Sequence, residues 1–312
     1  MNDRYQNTVR LMLAIAPDVF DTTRLAMKGG TAINIFLQDM PRLSVDIDVV
    51  MTDHMPTRPE ALAIIGEELA RAKVAIERQG HKVVFSQTAA ATKIKGDDVK
   101  LTAYSADAEV KVEVNYVFRG TLLPPQPRAV VPAAQSMFRV DFEVPILHEA
   151  ELYGSKLVAA LDRQHPRDIF DVLHMYDTYG LREDFVDAFV GYLAGHNRPP
   201  QEVLCGRQRS LDDEYHSGFA GMTVDEVGLD RLVEIQTRLH RELPRALTKS
   251  QQEFLVSLVK LEPDWSLMPY AHLKDMPAIR WKMENLRKLK AKDAERFAEQ
   301  EKLLSACFES LD

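Results

Sequence analysis

The chain has 312 residues and a formal net charge of −8, with 46 % hydrophobic and 28 % charged residues. This composition excludes a wholly disordered chain, and no uncharged apolar run reaches the about 18 residues of a membrane span. The polar, charged start does not resemble a secretory signal. Two cysteines exclude a disulfide framework and a four-cysteine zinc site. We therefore expect a cytoplasmic protein, and its acidic balance argues against a general nucleic-acid coat protein.

The first part of the sequence mixes helical and strand patterns. Alternating Val and Ile residues are typical of a strand at 43–51, and Gly80 is typical of the residue that follows a helix. Gly96-Asp97-Asp98 predicts a hairpin turn. In chain order, the patterns predict a helix over 5–17, a strand over 24–28, a helix over 31–38, a strand over 43–51, a helix over 59–79, and strands over 81–87, 91–96, 99–105 and 108–118.

The remainder of the sequence is predicted to be almost entirely helical. Four prolines between Pro124 and Pro132 predict a domain boundary. Beyond them, helices are predicted over 147–163, 167–179, 183–194, 223–242, 249–260 and 277–308. The sequence thus predicts an α+β protein, in which residues 1–130 form a mixed β-sheet flanked by helices and residues 131–312 form an all-α domain.

Three acidic residues occur in predicted strands, where acids are uncommon. Because side chains alternate between the two faces of a strand, Asp46 and Asp48 share one face, and the same parity turns Glu113 away from its valine neighbours. If the two strands are neighbours, all three carboxylates meet. A solvated strand face explains this pattern, and so does a site for Mg²⁺, which prefers carboxylate oxygens. Two such cations can clamp the reacting oxygens of a phosphoryl transfer.

The segment Lys28-Gly29-Gly30-Thr31 joins a predicted strand to a predicted helix. A helix N-terminus is a ready site for phosphate, and glycines let the backbone approach a ligand closely. Alone, such a turn is more often a tight connection, and Lys28 is equally well explained as an edge-strand lysine. Followed by the Asp-Ile-Asp strand, the turn indicates a phosphate-binding element next to metal-binding carboxylates.

A glycine pair with Thr, then an Asp-x-Asp strand and a later strand acid, resembles the DNA-polymerase-β-like nucleotidyltransferase superfamily. The string MKGGTAINIFLQDMPRLSVDIDVV resembles the AbiEii/AbiGii toxin family within it. Residues 149–171 are similar to that family's lysine helix and its following R-D-x-x-D helix, and residues 277–289 to its C-terminal helix. The resemblance covers residues 24–180 and, more loosely, 245–290, whereas 195–222 carry no motif that we recognise.

The resemblance implies a toxin of a toxin–antitoxin pair, with a cognate antitoxin and a link to phage defence. It implies transfer of a nucleotide from an NTP to the 3′ acceptor end of tRNA, which blocks translation, with Mg²⁺ or alternatively Mn²⁺. The helical domain would complete the active site and carry the acceptor-binding surface. From the family's catalytic residues, the resemblance implies roles for Ser44, Asp46, Lys156 and Asp171, and the strand and turn patterns add the other site residues. The predicted catalytic residues are Asp46, Asp48, Glu113, Lys156 and Asp171; the nucleotide-binding residues are Lys28, Gly29, Gly30, Thr31 and Ser44; and the metal ligands are Asp46, Asp48 and Glu113.

Some of these assignments have alternatives. Glu113 stands where Asp is common in the superfamily. Lys156 alone is explained as a solvated lysine, whereas the resemblance makes it a contact of the triphosphate. Asp168 lies in a first helical turn, which favours a structural role, and Asp171 is the better candidate for positioning Lys156. The two tryptophans are expected to anchor the helical core.

The acceptor also has alternatives. The basic residues of 277–302 are a candidate contact for the tRNA backbone, although most charge runs are solvated faces. The same carboxylates could instead nucleotidylate a protein hydroxyl. A catalytically idle interaction protein is the third reading, against which the intact carboxylates and lysine argue.

Overall fold

The computed structural model describes residues 3–85 and 100–311. The predicted strand over 91–96 and the turn at 96–98 lie outside these residues. The chain divides into two compact units. The first contains the chain up to Leu152 together with Met222–Asp225, and the second contains Tyr153–Gly221 and the residues from Glu226 onwards.

The first unit is built on a mixed seven-stranded sheet. The strands are β1 (Leu25–Lys28), β2 (Ile47–Met51), β3 (Lys82–Phe85), β4 (Lys100–Tyr104), β5 (Glu109–Asn115), β6 (Gln126–Ala129) and β7 (Glu143–Ile146). Their order in the sheet is β3-β4-β5-β2-β1-β7-β6. Pairs β2–β5 and β1–β7 are parallel, and the other neighbours are antiparallel. The helices of this unit are α1 (Asp3–Val19), α2 (Gly29–Phe36), α3 (Arg58–Arg78) and α4 (Pro132–Phe138).

Apolar positions at strand spacing form the core of this unit. In β5, Val110, Val112 and Val114 are buried, while the alternating residues are exposed, as the sequence pattern predicts. Helix α1 packs against β5, and α3 packs against β3 and β4. Helix α3 begins with a capping box in which the Glu60 carboxylate accepts a hydrogen bond from the Thr57 backbone amide at 2.8 Å.

Several features of this unit differ from the predictions. The helix predicted over 223–242 begins only at Leu229, so that 223–225, which belong to this unit, are not helical. The strand predicted over 43–51 begins only at Ile47, so that 43–46 lie outside it. The proline-rich stretch contains β6, and β6 and β7 extend the sheet beyond residue 130, so the two compact units divide later in the chain than the predicted boundary. Proline is tolerated in β6 because this strand lies at the edge of the sheet.

The second unit is helical throughout its described regular elements. Helix α5 (Glu149–Arg163) begins in the first unit and continues into the second. The other helices are α6 (Pro166–Thr178), α7 (Glu183–Ala194), α8 (Pro200–Leu204), α9 (Asp212–Gly218), α10 (Leu229–Ala246), α11 (Lys249–Val259), α12 (Pro277–Lys292) and α13 (Ala294–Glu309). Cys205 and Cys307, whose Cα atoms lie 6.3 Å apart, form one disulfide in this unit. Within the described residues, no helix is both long enough and apolar enough to cross a bilayer.

The single helix predicted over 277–308 is two helices that meet at Asp293. The Asp293 carboxylate accepts a hydrogen bond from the Arg296 amide at 2.9 Å and so caps α13. The expectation that both tryptophans anchor the core is wrong for Trp281, which is 52 % exposed. Trp265 is half-buried, and its ring packs against Phe254 with centroids 5.8 Å apart.

Lys282 of α12 is buried, and therefore does not belong to the solvated basic face predicted for this segment. Its ammonium group donates hydrogen bonds to the carbonyl oxygens of His196 at 2.9 Å and Arg198 at 2.8 Å. Burial lowers the pKa of Lys282 to about 8, because a low-dielectric surrounding disfavours the charged form.

This shifted pKa predicts a pH-dependent stability. Between about pH 8 and the ordinary lysine pKa of 10.5, the unfolded chain holds the Lys282 proton more firmly than the folded chain. The contribution of Lys282 to the free energy of unfolding should therefore rise with pH across this window, by about 1.4 kcal/mol per pH unit at most. Urea unfolding of wild type, Lys282→Met and the exposed-site control Lys292→Met at pH 8 and pH 10 tests this. A pH-independent difference between wild type and Lys282→Met would contradict it.

Candidate active site

A row of charged side chains crosses four strands of the sheet. Asp48 of β2 lies opposite Glu113 of β5 in the parallel register. On the outer sides, Lys28 of β1 lies opposite Asp48, and Lys100 of β4 lies opposite Glu113. Directly opposed residues of neighbouring strands point to the same face. We call these four side chains the cross-strand row, and their arrangement confirms the predicted meeting of Asp48 and Glu113.

The third predicted carboxylate, Asp46, occupies a different setting. It is exposed and lies just before β2, where the strand ladder does not fix its direction. Across residues 3–85 and 100–311, no three Asp, Glu, His or Cys side chains are close enough together to hold a metal ion. The structure thus brings Asp48 and Glu113 together, but does not bring Asp46 into a three-ligand group with them.

The donor set nevertheless suits a cation that arrives with a nucleotide. A cavity of about 220 Å³ opens beside Asp48 and Glu113. Its lining residues are Lys28, Asp48, Val49, Glu113, Val114 and Asn115. Mg²⁺ is commonly held by one or two carboxylates, with phosphates and waters completing its shell. Asp48 fits this requirement from the wall of the cavity, whereas Glu113 forms an ion pair with Lys100 and fits it less well. Asp46 does not line the cavity.

The turn Gly29–Thr31, which starts α2, lies directly against the carboxylates. Gly29 has a φ of +78°, and a Cβ atom built on it would lie 2.1 Å from Oδ2 of Asp48. The Thr31 hydroxyl lies 2.9 Å from Oγ of Ser44 and donates to the backbone oxygen of Asp46 at 2.5 Å. The amides of a first helical turn have no intrahelical acceptor. The predicted phosphate-binding turn and carboxylate segment are therefore physically joined, and the buried Thr31 side chain joins them.

The contact between Gly29 and Asp48 predicts that Gly29→Ala displaces the carboxylate. Gly80→Ala is a matched control, because Gly80 also has a positive φ of +88° but has no atom within 4 Å of the added methyl group. Both variants should lose about 1 kcal/mol of stability from the left-handed backbone conformation. Only Gly29→Ala should also lower nucleotide transfer per folded molecule, measured with labelled NTP. Equal activity of the two variants would contradict a role for this close packing.

Lys156 lies in a buried ionic cluster formed by α5 and α6. Its ammonium nitrogen lies 2.8 Å from Oδ1 of Asp168 and 2.9 Å from Oδ2 of Asp171. Asp168 also pairs with the Arg163 guanidinium at 2.9 Å. Lys156 is 7 % exposed and Asp171 is 1 % exposed. The solvated-lysine interpretation is therefore wrong, and Lys156 is a charge held in place by two carboxylates. Asp168, predicted to be mainly structural, holds Lys156 together with Asp171.

Three further features at or beside these residues were missed by the sequence analysis. They are Arg42, whose guanidinium lies beside Gly30; Lys100, which pairs with Glu113; and the segment Met222–Asp225, which pairs with the residues before Ser44. Arg42 stands two residues before Ser44, and this closeness in sequence could have indicated a role at the site. Lys100 and Met222–Asp225 lie far in sequence from the turn and from Ser44, so no local pattern indicates them.

Comparison with known proteins identifies the family. The family model described as "Nucleotidyl transferase AbiEii toxin, Type IV TA system" matches residues 10–285. The chain belongs to the AbiEii family of nucleotidyltransferase toxins. The match includes the turn, the carboxylates and the lysine cluster, so this AbiEii protein is a nucleotidyltransferase, as the resemblance implied.

A solved structure has a similar fold. The structure of MenT4, a nucleotidyltransferase toxin from Mycobacterium tuberculosis H37Rv, matches with a TM-score of 0.59 and 17 % sequence identity. The match covers 92 % of this chain and 91 % of MenT4. At this identity the likeness concerns the fold alone, and it agrees with the predicted α+β class. No curated protein sequence matches the chain.

Proposed function

We propose that this AbiEii protein transfers a nucleotide from an NTP, with Mg²⁺, to the 3′ acceptor end of tRNA and thereby blocks translation. The observation that supports the proposal is the pair of contacts made by the Thr31 hydroxyl. They join the start of α2 to Ser44 and to the backbone of Asp46. These contacts hold the start of α2, where we propose that phosphate binds, beside Asp46 and Asp48. Phosphoryl transfer depends mostly on such positioning and on charge neutralisation.

The residues of the first unit would take complementary roles. The amides of Gly30 and Thr31 would bind donor phosphates, with Lys28 and Ser44 as further polar contacts. Asp46 and Asp48 would hold the divalent cation, which would neutralise phosphate charge and polarise the reacting phosphorus. Glu113, paired with Lys100, would support Asp48 from the neighbouring strand rather than bind the cation as its main ligand.

We propose that the second unit contributes Lys156 and Asp171 to the reaction. An ammonium group between two buried carboxylates is fixed in position, so it suits a precise charge contact better than a mobile one. Asp171 would orient Lys156, and Lys156 would contact the triphosphate. The ionic cluster would thus have two roles. It would stabilise the packing of α5 against α6, and it would position Lys156 for the reaction.

The exposed side of α12 supports a nucleic-acid acceptor. Its exposed cations are Arg280, Arg287, Lys288, Lys290 and Lys292. The ammonium of Lys288 lies 5.6 Å from the ring centre of the exposed Trp281. Cations that follow a phosphate backbone, beside an aromatic ring on which a base can stack, are typical of single-stranded nucleic-acid binding. We propose that this surface contacts the tRNA.

We also propose that the enzyme belongs to a cytoplasmic toxin–antitoxin or phage-defence system, in which a cognate antitoxin restrains it.

Incubation with total tRNA and each labelled NTP in turn, with Mg²⁺, tests the proposal. We expect label on intact tRNA and none on tRNA whose 3′ ribose diol has been oxidised by periodate, because the attacking hydroxyl is then absent. In the same assay, Trp281→Ala should raise the KM for tRNA without changing the KM for NTP. Label that appears in protein instead of tRNA would favour a protein hydroxyl as the acceptor and would overturn the tRNA proposal.

A further inference from the structure

The residues that lead into the carboxylate segment are held by a piece of chain from far along the sequence. The Leu43 amide donates to the carbonyl oxygen of Met222 at 3.1 Å, and the Val224 amide donates to that of Pro41 at 2.9 Å. Between these two bonds, Arg42 and Thr223 form an antiparallel bridge. We call Met222–Asp225 the strap. It belongs to the first compact unit, although the residues on both sides of it belong to the second.

The side chain of Arg42 extends this connection to the phosphate-binding turn. Arg42 is 4 % exposed, and its Nη1 donates to the backbone oxygen of Leu43 at 3.0 Å. Its Nη2 lies 2.7 Å from the Cβ position of Gly30, and Oγ of Ser44 lies 3.2 Å from that same position. The absence of a Cβ atom at Gly30 therefore makes room for the guanidinium. The strap holds the backbone of Arg42, while the side chain of Arg42 reaches the start of α2.

We propose that Arg42 and the strap are a positioning device for the reaction: they fix the spacing between the turn Gly29–Thr31 and the segment Ser44–Asp46. This inference rests on the proposed function of these two elements. Residues 43–46 precede β2 and pair with none of the described strands, so the strap, together with the bond from Thr31 to the backbone oxygen of Asp46, limits the conformations that their backbone can sample. A misplacement of about 1 Å in a catalytic group can lower a rate by about 10²-fold.

Arginine suits this position for two physical reasons. Its planar guanidinium offers several donors in a fixed geometry, so one side chain can set the relation between two backbone segments. Its charge also persists when it is buried, and it places positive potential beside the helix start where phosphates would bind. Lysine offers the charge without the planar fork, so Arg42→Lys separates the two contributions.

A proline substitution in the strap tests the inference without removing a buried side chain. Val224 is exposed, so Val224→Pro mainly removes the amide that donates to Pro41, whereas Val224→Ala retains that amide. We expect Val224→Pro to accelerate amide hydrogen exchange at Leu43–Asp48 and to lower kcat about tenfold, with little change in the KM for NTP or in the melting temperature. Val224→Ala should match wild type in all four measurements.

Three outcomes would overturn the inference. The first is that Val224→Pro equals Val224→Ala in amide hydrogen exchange and in kcat. The second is that Val224→Pro accelerates hydrogen exchange throughout the sheet and lowers the melting temperature. The third is that Arg42→Lys retains full kcat. The hydrogen-exchange arm does not require activity. If wild type transfers no nucleotide to any acceptor, the proposed function fails, while faster exchange at Leu43–Asp48 in Val224→Pro still supports the strap as the element that orders this segment.

Discussion

Asp46→Ala should abolish nucleotide transfer and relieve the growth arrest that expression of the chain is expected to cause. Removing one of two proposed cation ligands should cost on the order of 10²-fold or more in rate. Folding should be unaffected, because the side chain is exposed and the bond from Thr31 goes to the backbone oxygen of Asp46, which the variant keeps. Single-turnover transfer, circular dichroism and growth after induction measure the three effects.

Asp107→Ala is the matched control for this experiment, since Asp107 is an exposed carboxylate of the same unit outside the site. It should retain both activity and toxicity. If Asp46→Ala is folded and inactive on NTP but still arrests growth, toxicity comes from binding rather than from catalysis. The enzyme would then have a different cellular role from the one proposed here.

The second large effect concerns stability. Lys156→Met leaves Asp168 and Asp171 buried without the ammonium group that both contact, and breaking a buried ion pair in this way costs about 3–5 kcal/mol. Arg163→Met removes another partner of Asp168, but Arg163 is largely exposed, so its loss should cost about 1 kcal/mol or less. Urea unfolding of the two variants gives the comparison.

The double variant Lys156→Met with Asp171→Asn should recover part of the lost stability, because it also removes one of the buried charges. Nucleotide transfer must be compared per folded molecule, since the buried position couples activity and stability. If Lys156→Met is as stable as wild type, the ionic cluster does not hold α5 and α6 together. If its activity per folded molecule is unchanged, Lys156 does not act in the reaction.

Strand alternation predicted the part of the site that the sheet itself builds. The parity of Asp48 and Glu113 follows from their valine and isoleucine neighbours, and the register confirms that they meet. Asp46 obeys the same alternation but lies outside the strand, because the backbone before it pairs with the strap instead of the sheet. The sequence pattern cannot reveal that pairing, since the partners are distant in the chain and too short to show strand alternation.

Helical periodicity predicted α5, α6 and α7 but could not place Lys156. An amphipathic helix accommodates a lysine at the edge of its apolar face whether its head group reaches water or a buried acid. In this protein, Asp168 and Asp171 on α6 hold the head group of Lys156 in the interior. Periodicity likewise continues across Asp293, so the junction between α12 and α13 depends on a capping bond that sequence spacing does not distinguish from a solvated aspartate.

The cross-strand row has a consequence for how the protein exists before it meets a substrate. Two carboxylates directly opposite each other on neighbouring strands repel, yet a lysine lies on the outer side of each, so the row carries no net charge. The enzyme therefore supplies its own counterions at the site. Chelator-treated protein should remain as resistant to heat as untreated protein, so that a newly made chain can be fully folded while it still lacks both cation and nucleotide.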